Sequence, residues 1–395
     1  MSARLPAGTV APSRRGTRWL WMVGILSALS AAQARPSEGT ELGLPGPTRS
    51  GAALHARLRD ASAPARRWSS DDCVQCHEEI AKEWQGSLHR KAWQDTVFQS
   101  AYAVEPLAFC RGCHAASSDP ARAPTADAAS SGVDCITCHV QEGTIVGPGA
   151  RTASAAHPVL SDGRLMTAAA CGGCHQFNFP KASRQVVPQA MQNTAREHEQ
   201  SRFADTPCQS CHMPVAGSAG ATHHRHDFSV LGDAGMIRSA ARVTAERLGA
   251  DRIEVTVVAD AVGHAFPTGD MFRRLEVRAD ARDARGETTV RMPPVILARR
   301  FADQPRRANG EDLSFQRLQT SDDRVPPPGV GAPRRATFVV PPSVSASRVH
   351  YQVVYQRMSA PMASAFHVDR ALDEIVLAEG DVALAPSLSP KKEHP

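Results

Sequence analysis

Cys73-Val-Gln-Cys76-His77, Cys110-Arg-Gly-Cys113-His114, Cys135-Ile-Thr-Cys138-His139, Cys171-Gly-Gly-Cys174-His175 and Cys208-Gln-Ser-Cys211-His212 write one pattern five times, and together they use all 10 cysteines of the 395-residue chain. Each Cys-x-x-Cys-His reads as an attachment site for a c-type haem. Two thiols add across the vinyl groups of one porphyrin, and the adjacent imidazole becomes an axial ligand of its iron. A four-thiolate zinc site needs paired Cys-x-x-Cys but gives no reason for His after the second Cys. With 16 His in 395 residues, five of five by chance is about one in ten million. A redox dithiol would occur once, and a disulfide framework would not repeat one local spacing, because bridge geometry is set by the fold. The expected cofactor is haem c, five copies, covalently attached.

The N-terminus supports export. Arg14, Arg15 and Arg18 precede an apolar run from Trp19 to Ala32, closed by the small-x-small pattern Ala32-Gln33-Ala34. The run is short for a membrane span. Residues 1–34 therefore read as a cleavable signal peptide, with Arg35 as the mature start and no integral membrane span left after its removal. No cysteine near the signal offers a lipid anchor. The location expected is periplasmic or cell-surface in a bacterium.

The formal charge of +5 is misleading. Arg4, Arg14, Arg15 and Arg18 belong to the signal, and five haems bring about ten propionates, so the mature holoprotein is expected to be acidic. Nucleic-acid and anionic-membrane partners have no support. Aromatic residues make up 5% of the chain, and porphyrin rings can supply the apolar surface that they do not.

The chain divides by character. Residues 35–67 are rich in Gly, Pro, Ala and Ser and read as a flexible leader. Residues 68–235 hold the five motifs at roughly thirty residues per haem, too few for five separate pockets. The haems must share walls. Short helices are expected at Glu78–His89, Ala92–Ala103 and Asn193–Arg202, with N-cap candidates at Ser70, Asp71 and Asp72 and a loop over 115–132. Residues 236–384 lack cysteine and alternate β-branched with polar residues: Ile253, Val255 and Val257; Leu275 and Val277; Thr337–Val340; Val349, Tyr351, Val353 and Tyr355; Ile375–Leu377. Six to eight short strands there predict an antiparallel β-sandwich, a pattern that a small barrel shares. Residues 385–395 read as a disordered tail. The fold class expected is α+β with segregated domains: a helical and loop-rich multihaem domain, then the sandwich.

His77, His114, His139, His175 and His212 are the proximal ligands. A second His on the far face closes an iron for electron transfer, and an open face admits a small substrate. His89, in Trp84-Gln-Gly-Ser87-Leu-His89, is the first distal candidate. In His223-His224-Arg225-His226 the candidates are His226, then His223, against a metal site or a solvated basic loop. His157 lies between the third and fourth motifs. His264, in Gly263-His264-Ala-Phe-Pro267-Thr-Gly269-Asp270, reads either as a distal ligand donated by the strand-rich part or as a turn histidine. His198-x-x-Ser201-x-Phe203 repeats Trp84-x-x-Ser87-x-His89 with His where Trp stood and Phe where the ligand stood. His55, His350, His367 and His394 read as structural or exposed.

Trp84-x-x-Ser87-x-His89, Cys208-Gln-Ser-Cys211-His212-Met-Pro214, His226-x-Phe228, the Gly263–Gly269 stretch and Asp323-Arg-Val-Pro-Pro327 resemble bacterial multihaem cytochromes c related to the nitrifier tetrahaem family, over about residues 68–380. The resemblance implies electron transfer in the cell envelope, with redox partners such as a quinol dehydrogenase, other cytochromes or a terminal reductase. It implies no defined substrate. The chain departs from the family in haem number, five rather than four. The leading expectation is an electron carrier without substrate chemistry. The alternatives are a haem enzyme acting on nitrite, hydroxylamine or peroxide at one open iron, and a subunit of an extracellular cytochrome filament. No motif carries Lys in place of the proximal His, and of the three tyrosines (Tyr102, Tyr351, Tyr355) none is placed as a cross-linking residue.

Overall fold

The computed structural model of the chain describes residues 68–385 apart from 150–151, 154–156, 180–188, 219–220, 229, 231, 309–311 and 369–373. The expected signal, the leader and nearly all of the tail, with His55 and His394, lie outside the described residues.

Short helices dominate the first part: α1 (Ser70–Val74), α2 (Glu78–Gly86), α3 (Thr96–Val104), α4 (Ala108–His114), α5 (Ala126–Ser131), α6 (Cys135–His139), α7 (Ala169–His175), α8 (Thr194–Glu199), α9 (Cys208–His212) and α10 (Ala234–Ser239). Four motifs lie wholly on such a helix, and the first begins on α1. Local capping starts them. Ser69, one residue before the expected caps, forms a capping box with Asp72 at α1, and Asp134 forms one with Thr137 at α6. The 115–132 stretch is not all loop, because the Thr125 hydroxyl accepts from the Ala128 N–H and starts α5. Small sheets also interrupt the helices: β1 (Val140–Gln141), β2 (Thr144–Gly147), β3 (Thr152–Ala153) and β4 (Pro158–Ser161), then the pairs β5 (Gln176–Asn178) with β6 (Ala190–Asn193) and β7 (Val215–Ser218) with β8 (Ala221–His224). They are too short for hydrophobic alternation to register.

From residue 241 the chain is strand: β9 (Ala241–Arg247), β10 (Arg252–Ala259), β11 (Arg274–Arg282), β12 (Thr288–Ala308), β13 (Asp312–Asp322), β14 (Arg334–Val339), β15 (Arg348–Gln356) and β16 (Glu374–Ala383), with α11 (Ala360–Ala365) before the last. They form two antiparallel sheets, β14-β10-β9 and β13-β12-β11-β15-β16. The two-residue period of a strand puts Ile253, Val255 and Val257 on one face, beside Phe338 and Ala336 of β14. The same period turns Leu275, Val277, Ala279 and Ala281 inward on β11, beside Val353 and Val349 of β15. All of these belong to one buried cluster fed by both sheets. β12, at 21 residues, departs from the short strands expected. It pairs with β11 as far as Ala298 and with β13 from Arg299 on, so one strand serves two partners in turn.

The two parts belong to one compact unit. Arg357, just past β15, grips Asp95, the N-cap of α3, through both terminal nitrogens at 2.9 and 2.6 Å. Val97 packs beside Met358 and Ala363. Arg324 meets Glu197 of α8 at 2.6 Å, both side chains only 6% exposed. Arg299 donates to the carbonyls of Ala190 and Met191 at β6.

Candidate metal centre

An imidazole–metal bond of about 2.0 Å, with about 1.1 Å from ring nitrogen to ring centre, sets two imidazoles on opposite sides of one metal about 6.2 Å apart. Four proximal histidines meet a second imidazole at that spacing: His77 with His157 at 6.3 Å, His139 with His226 at 6.1 Å, His175 with His89 at 6.2 Å, and His212 with His264 at 6.3 Å. The donors come in pairs, and among the described residues no group of three or more His, Cys, Asp or Glu converges.

Hydrogen bonds from the ring nitrogens point the rings. A carbonyl can only accept, so a ring nitrogen against one carries the proton and leaves the other nitrogen's lone pair for a metal. Nδ1 of His114 donates to Ala92 O (2.8 Å), of His139 to Val146 O (3.0 Å), of His226 to His224 O (2.7 Å) and of His264 to Ala265 O (3.0 Å). Nδ1 of His175 faces the Gln192 side-chain oxygen at 3.1 Å. Burial, the largest cause in each case, pushes His89 and His264 down to about 3 and holds His114, His175, His212 and His226 below the ordinary range. These imidazoles are neutral at physiological pH, the form that ligates.

His89 is held from three sides. The Trp84 indole donates to Val133 O at 2.8 Å, the Ser87 hydroxyl donates to Trp84 O at 2.6 Å, and the Val133 N–H donates to His89 O at 2.9 Å. Phe228 packs its ring 4.2 Å from that of His89. It does so at φ +46°, a conformation that a bulky residue rarely adopts. For His226, Glu83 accepts from the backbone N–H at 2.8 Å and stands 3.1 Å from His223 Nε2. His223 is thus turned toward a carboxylate, and among the described residues no second imidazole is paired with it. The internal repeat holds at α8: the Ser201 hydroxyl donates to His198 O at 2.9 Å, as Ser87 does to Trp84 O. His198 is buried like Trp84, and its ring backs onto Gly263, where an added Cβ would stand 2.8 Å from it. In this second copy the ring near haem-ligand distance comes from the residue after Gly263.

His114 stands apart. Its ring is stacked on Phe98 at 3.6 Å and 7°, in a cluster with Trp93 and Tyr102, and no described imidazole lies across from it. At 3.6 Å the phenyl ring lies directly on the imidazole face, too close for a metal to stand between the two.

The thiols show which attachment sites adjoin. In the free chain the Cys73 thiol lies beside Cys135, Cys113 beside Cys174, and Cys171 beside Cys208. Burial first, then neighbouring Cys174, pushes the Cys138 thiol up to about 12. The first motif therefore adjoins the third, and the fourth adjoins the second, third and fifth. Gly132, Phe228, Glu83 and the Glu197–Arg324 pair escape a sequence reading because their partners are distant in the chain. Only His226-x-Phe228 carried a local hint.

Residues 72–140 match the family described as cytochrome c554 and c-prime. The fold is similar to the crystal structure of a penta-heme cytochrome c552 from Thermochromatium tepidum, with a TM-score of 0.62 and 21% identity, covering 82% of this chain and all of that one. Among curated proteins nothing matches the chain. The match over residues 72–140 and the likeness of fold support reading the chain as a multihaem c-type cytochrome that binds haem c.

Proposed function

We propose that the chain is a pentahaem electron carrier of the bacterial periplasm or cell surface, in which a multihaem domain (68–235) is followed by a β-sandwich domain (236–384). The observation that carries this reading is the set of four imidazole pairs at 6.1–6.3 Å. An iron between two imidazoles is closed to substrates and changes little on gaining an electron, which suits transfer. The thiol contacts support a line running through the haems of motifs one, three, four and five, with that of motif two beside the fourth. No described helix is long and apolar enough to cross a membrane, and the partners proposed are other redox proteins: a quinol dehydrogenase, further cytochromes or a terminal reductase.

The test is a haem count by intact mass with spin-state spectroscopy of the ferric protein. Five haems, with four low-spin centres, are expected. Fewer than five, or a majority of high-spin centres, removes the reading. A second reading, chemistry on a small nitrogen or oxygen species, is confined to the haem of His114, because that imidazole alone of the five has a phenyl ring stacked on it and no paired imidazole among the described residues. Turnover of nitrite, hydroxylamine or peroxide above free-haem background supports it, and turnover at background removes it.

A further inference from the structure

Phe228 lies against imidazoles of two different pairs. Its ring centre is 4.2 Å from that of His89, at 61°, and 5.9 Å from that of His226, at 83°. His89 is paired with His175 of the fourth motif, and His226 with His139 of the third. One phenyl ring is therefore common to two distal candidates. The other aromatic contacts made by paired or proximal imidazoles are private: Trp68 meets His157, and Phe98 meets His114. Among the described residues no other side-chain ring joins two pairs.

The backbone is bent out of its ordinary range to hold the ring there. Phe228 has φ +46°, and a bulky residue keeps such a conformation only where its surroundings over-determine it. The residues just before it supply that constraint. Arg225 N–H donates to Pro214 O at 3.0 Å, His226 N–H donates to Glu83 at 2.8 Å, and Arg225 pairs with Asp227. On the other side, the His89 carbonyl accepts from Ala92 N–H at 3.2 Å and Val133 N–H at 2.9 Å. Those bonds fix the backbone of His89. Among the described residues its ring takes no hydrogen bond, so packing against Phe228 sets the angle of that ring.

We infer that Phe228 is a positioning residue shared by two metal centres: its ring fixes both distal imidazoles, His89 and His226, and so tunes the third and fourth haems as a pair. The inference rests on the haem reading and the imidazole pairs above. Edge-on contacts are the geometry that aromatic rings favour, and they fix a ligand plane in a way that a flexible aliphatic chain does not. An apolar ring beside an axial ligand also keeps water from it, and the hydrophobic shell of a metal site governs its redox potential. Ferric haem carries one more positive charge than ferrous haem, so drier surroundings favour the reduced form and raise the potential. A side chain common to two centres makes their potentials move together.

The test uses the holoprotein with Phe228→Ala and Phe228→Leu, each checked by intact mass for its haem number. Spectroelectrochemical titration gives the potentials, and electron paramagnetic resonance of the ferric protein gives the low-spin signals. In Phe228→Ala two centres are expected to change together. Their signals shift, and their potentials fall as water reaches the ligands, moving the oxidised-to-reduced ratio at fixed potential about tenfold, or 59 mV for one electron. Phe228→Leu keeps the site dry without the ring, so the same two signals shift while the potentials stay near those of the wild type. The centres of His77–His157 and His212–His264 hold their wild-type values in both variants. A response in one centre alone, in all of them or in none overturns the inference. Should neither variant load fully, haem-peptide mapping decides: loss confined to the third and fourth motifs supports it, and loss elsewhere overturns it. A wild type with fewer than five haems, or with mostly high-spin centres, removes the haem reading and this inference with it. A one-centre response in a five-haem, low-spin protein overturns the inference alone.

Discussion

Gly132 sits where a side chain has no room. Its φ is +62°, and an added Cβ would stand 2.3 Å from the His89 carbonyl oxygen and 2.8 Å from that of Arg90. An L residue in the left-handed region costs about 1–2 kcal/mol before any collision is counted, and both obstacles here are backbone. Gly132→Ala is therefore expected to move the His89 loop while leaving all thioether bonds intact. Mass should show an unchanged haem count, and electron paramagnetic resonance should show one low-spin centre, that of the His89–His175 pair, turned high-spin. An unchanged spectrum would show that the loop can yield without releasing the ring. Trp84, Ser87 and His89 were legible as a unit because their partners are local. Gly132 was not, because its constraint is a steric one imposed by residues far earlier in the chain.

At the scale of elements, α2 and α8 are two solutions of one design. Both end on a buried serine turned back to its own helix, yet only the first is followed by its own ligand-like ring. The sequence repeat and the Trp-to-His, His-to-Phe exchanges were readable. The sequence offered two readings of His264, since a Gly- and Pro-bracketed histidine looks the same in a turn as at a metal; its ring, 6.3 Å from that of His212, favours the metal. What holds that loop is the Glu197 carboxylate, which takes Thr268 at 2.7 Å and Arg324 at 2.6 Å. Arg324 keeps a second carboxylate, Asp322 at 2.7 Å, so the loss of Glu197 removes charge-assisted hydrogen bonds, about 1.5–3 kcal/mol, rather than leaving a buried charge unpaired. Glu197→Ala is expected to destabilise the protein by that amount in denaturant titration and to weaken a His212–His264 centre first, seen as a high-spin signal before global unfolding. Thr268→Val removes only one hydrogen bond and is expected to cost about 0.5–1.5 kcal/mol. Equal effects of the two would count against the ion pair as the main fastening.

At the scale of the molecule, the alternation of Ile253, Val255 and Val257 and of Leu275 and Val277 was enough to announce strands, since each buries every second residue. β12 and β13 escaped, because from Arg299 onward they pair with each other beyond the main sheet and need no continuous apolar face. Acidity should act on the whole. His89 and His264 have folded values of about 3 against an ordinary 6.5. Below 6.5 the unfolded chain binds protons that the fold excludes, so stability is full above pH 6.5 and falls steadily as pH drops toward 3. Denaturation midpoints measured from pH 8 to pH 4 should hold level and then decline, with low-spin absorbance lost in parallel. A midpoint that rises on acidification would contradict buried, neutral imidazoles.

The contacts between thiols of different motifs bear on how the protein is made. The Cys73 thiol lies beside Cys135, Cys113 beside Cys174, and Cys171 beside Cys208. A chain that folded before receiving its porphyrins would present three ready-made thiol pairs to any oxidant, and each bridge would seal two attachment sites at once. Loading is therefore expected to outrun folding. Chain produced without haem ligation and exposed to oxygen is expected to carry these cross-motif bridges in non-reducing peptide maps, rather than bridges within each Cys-x-x-Cys, and to accept haem only after reduction.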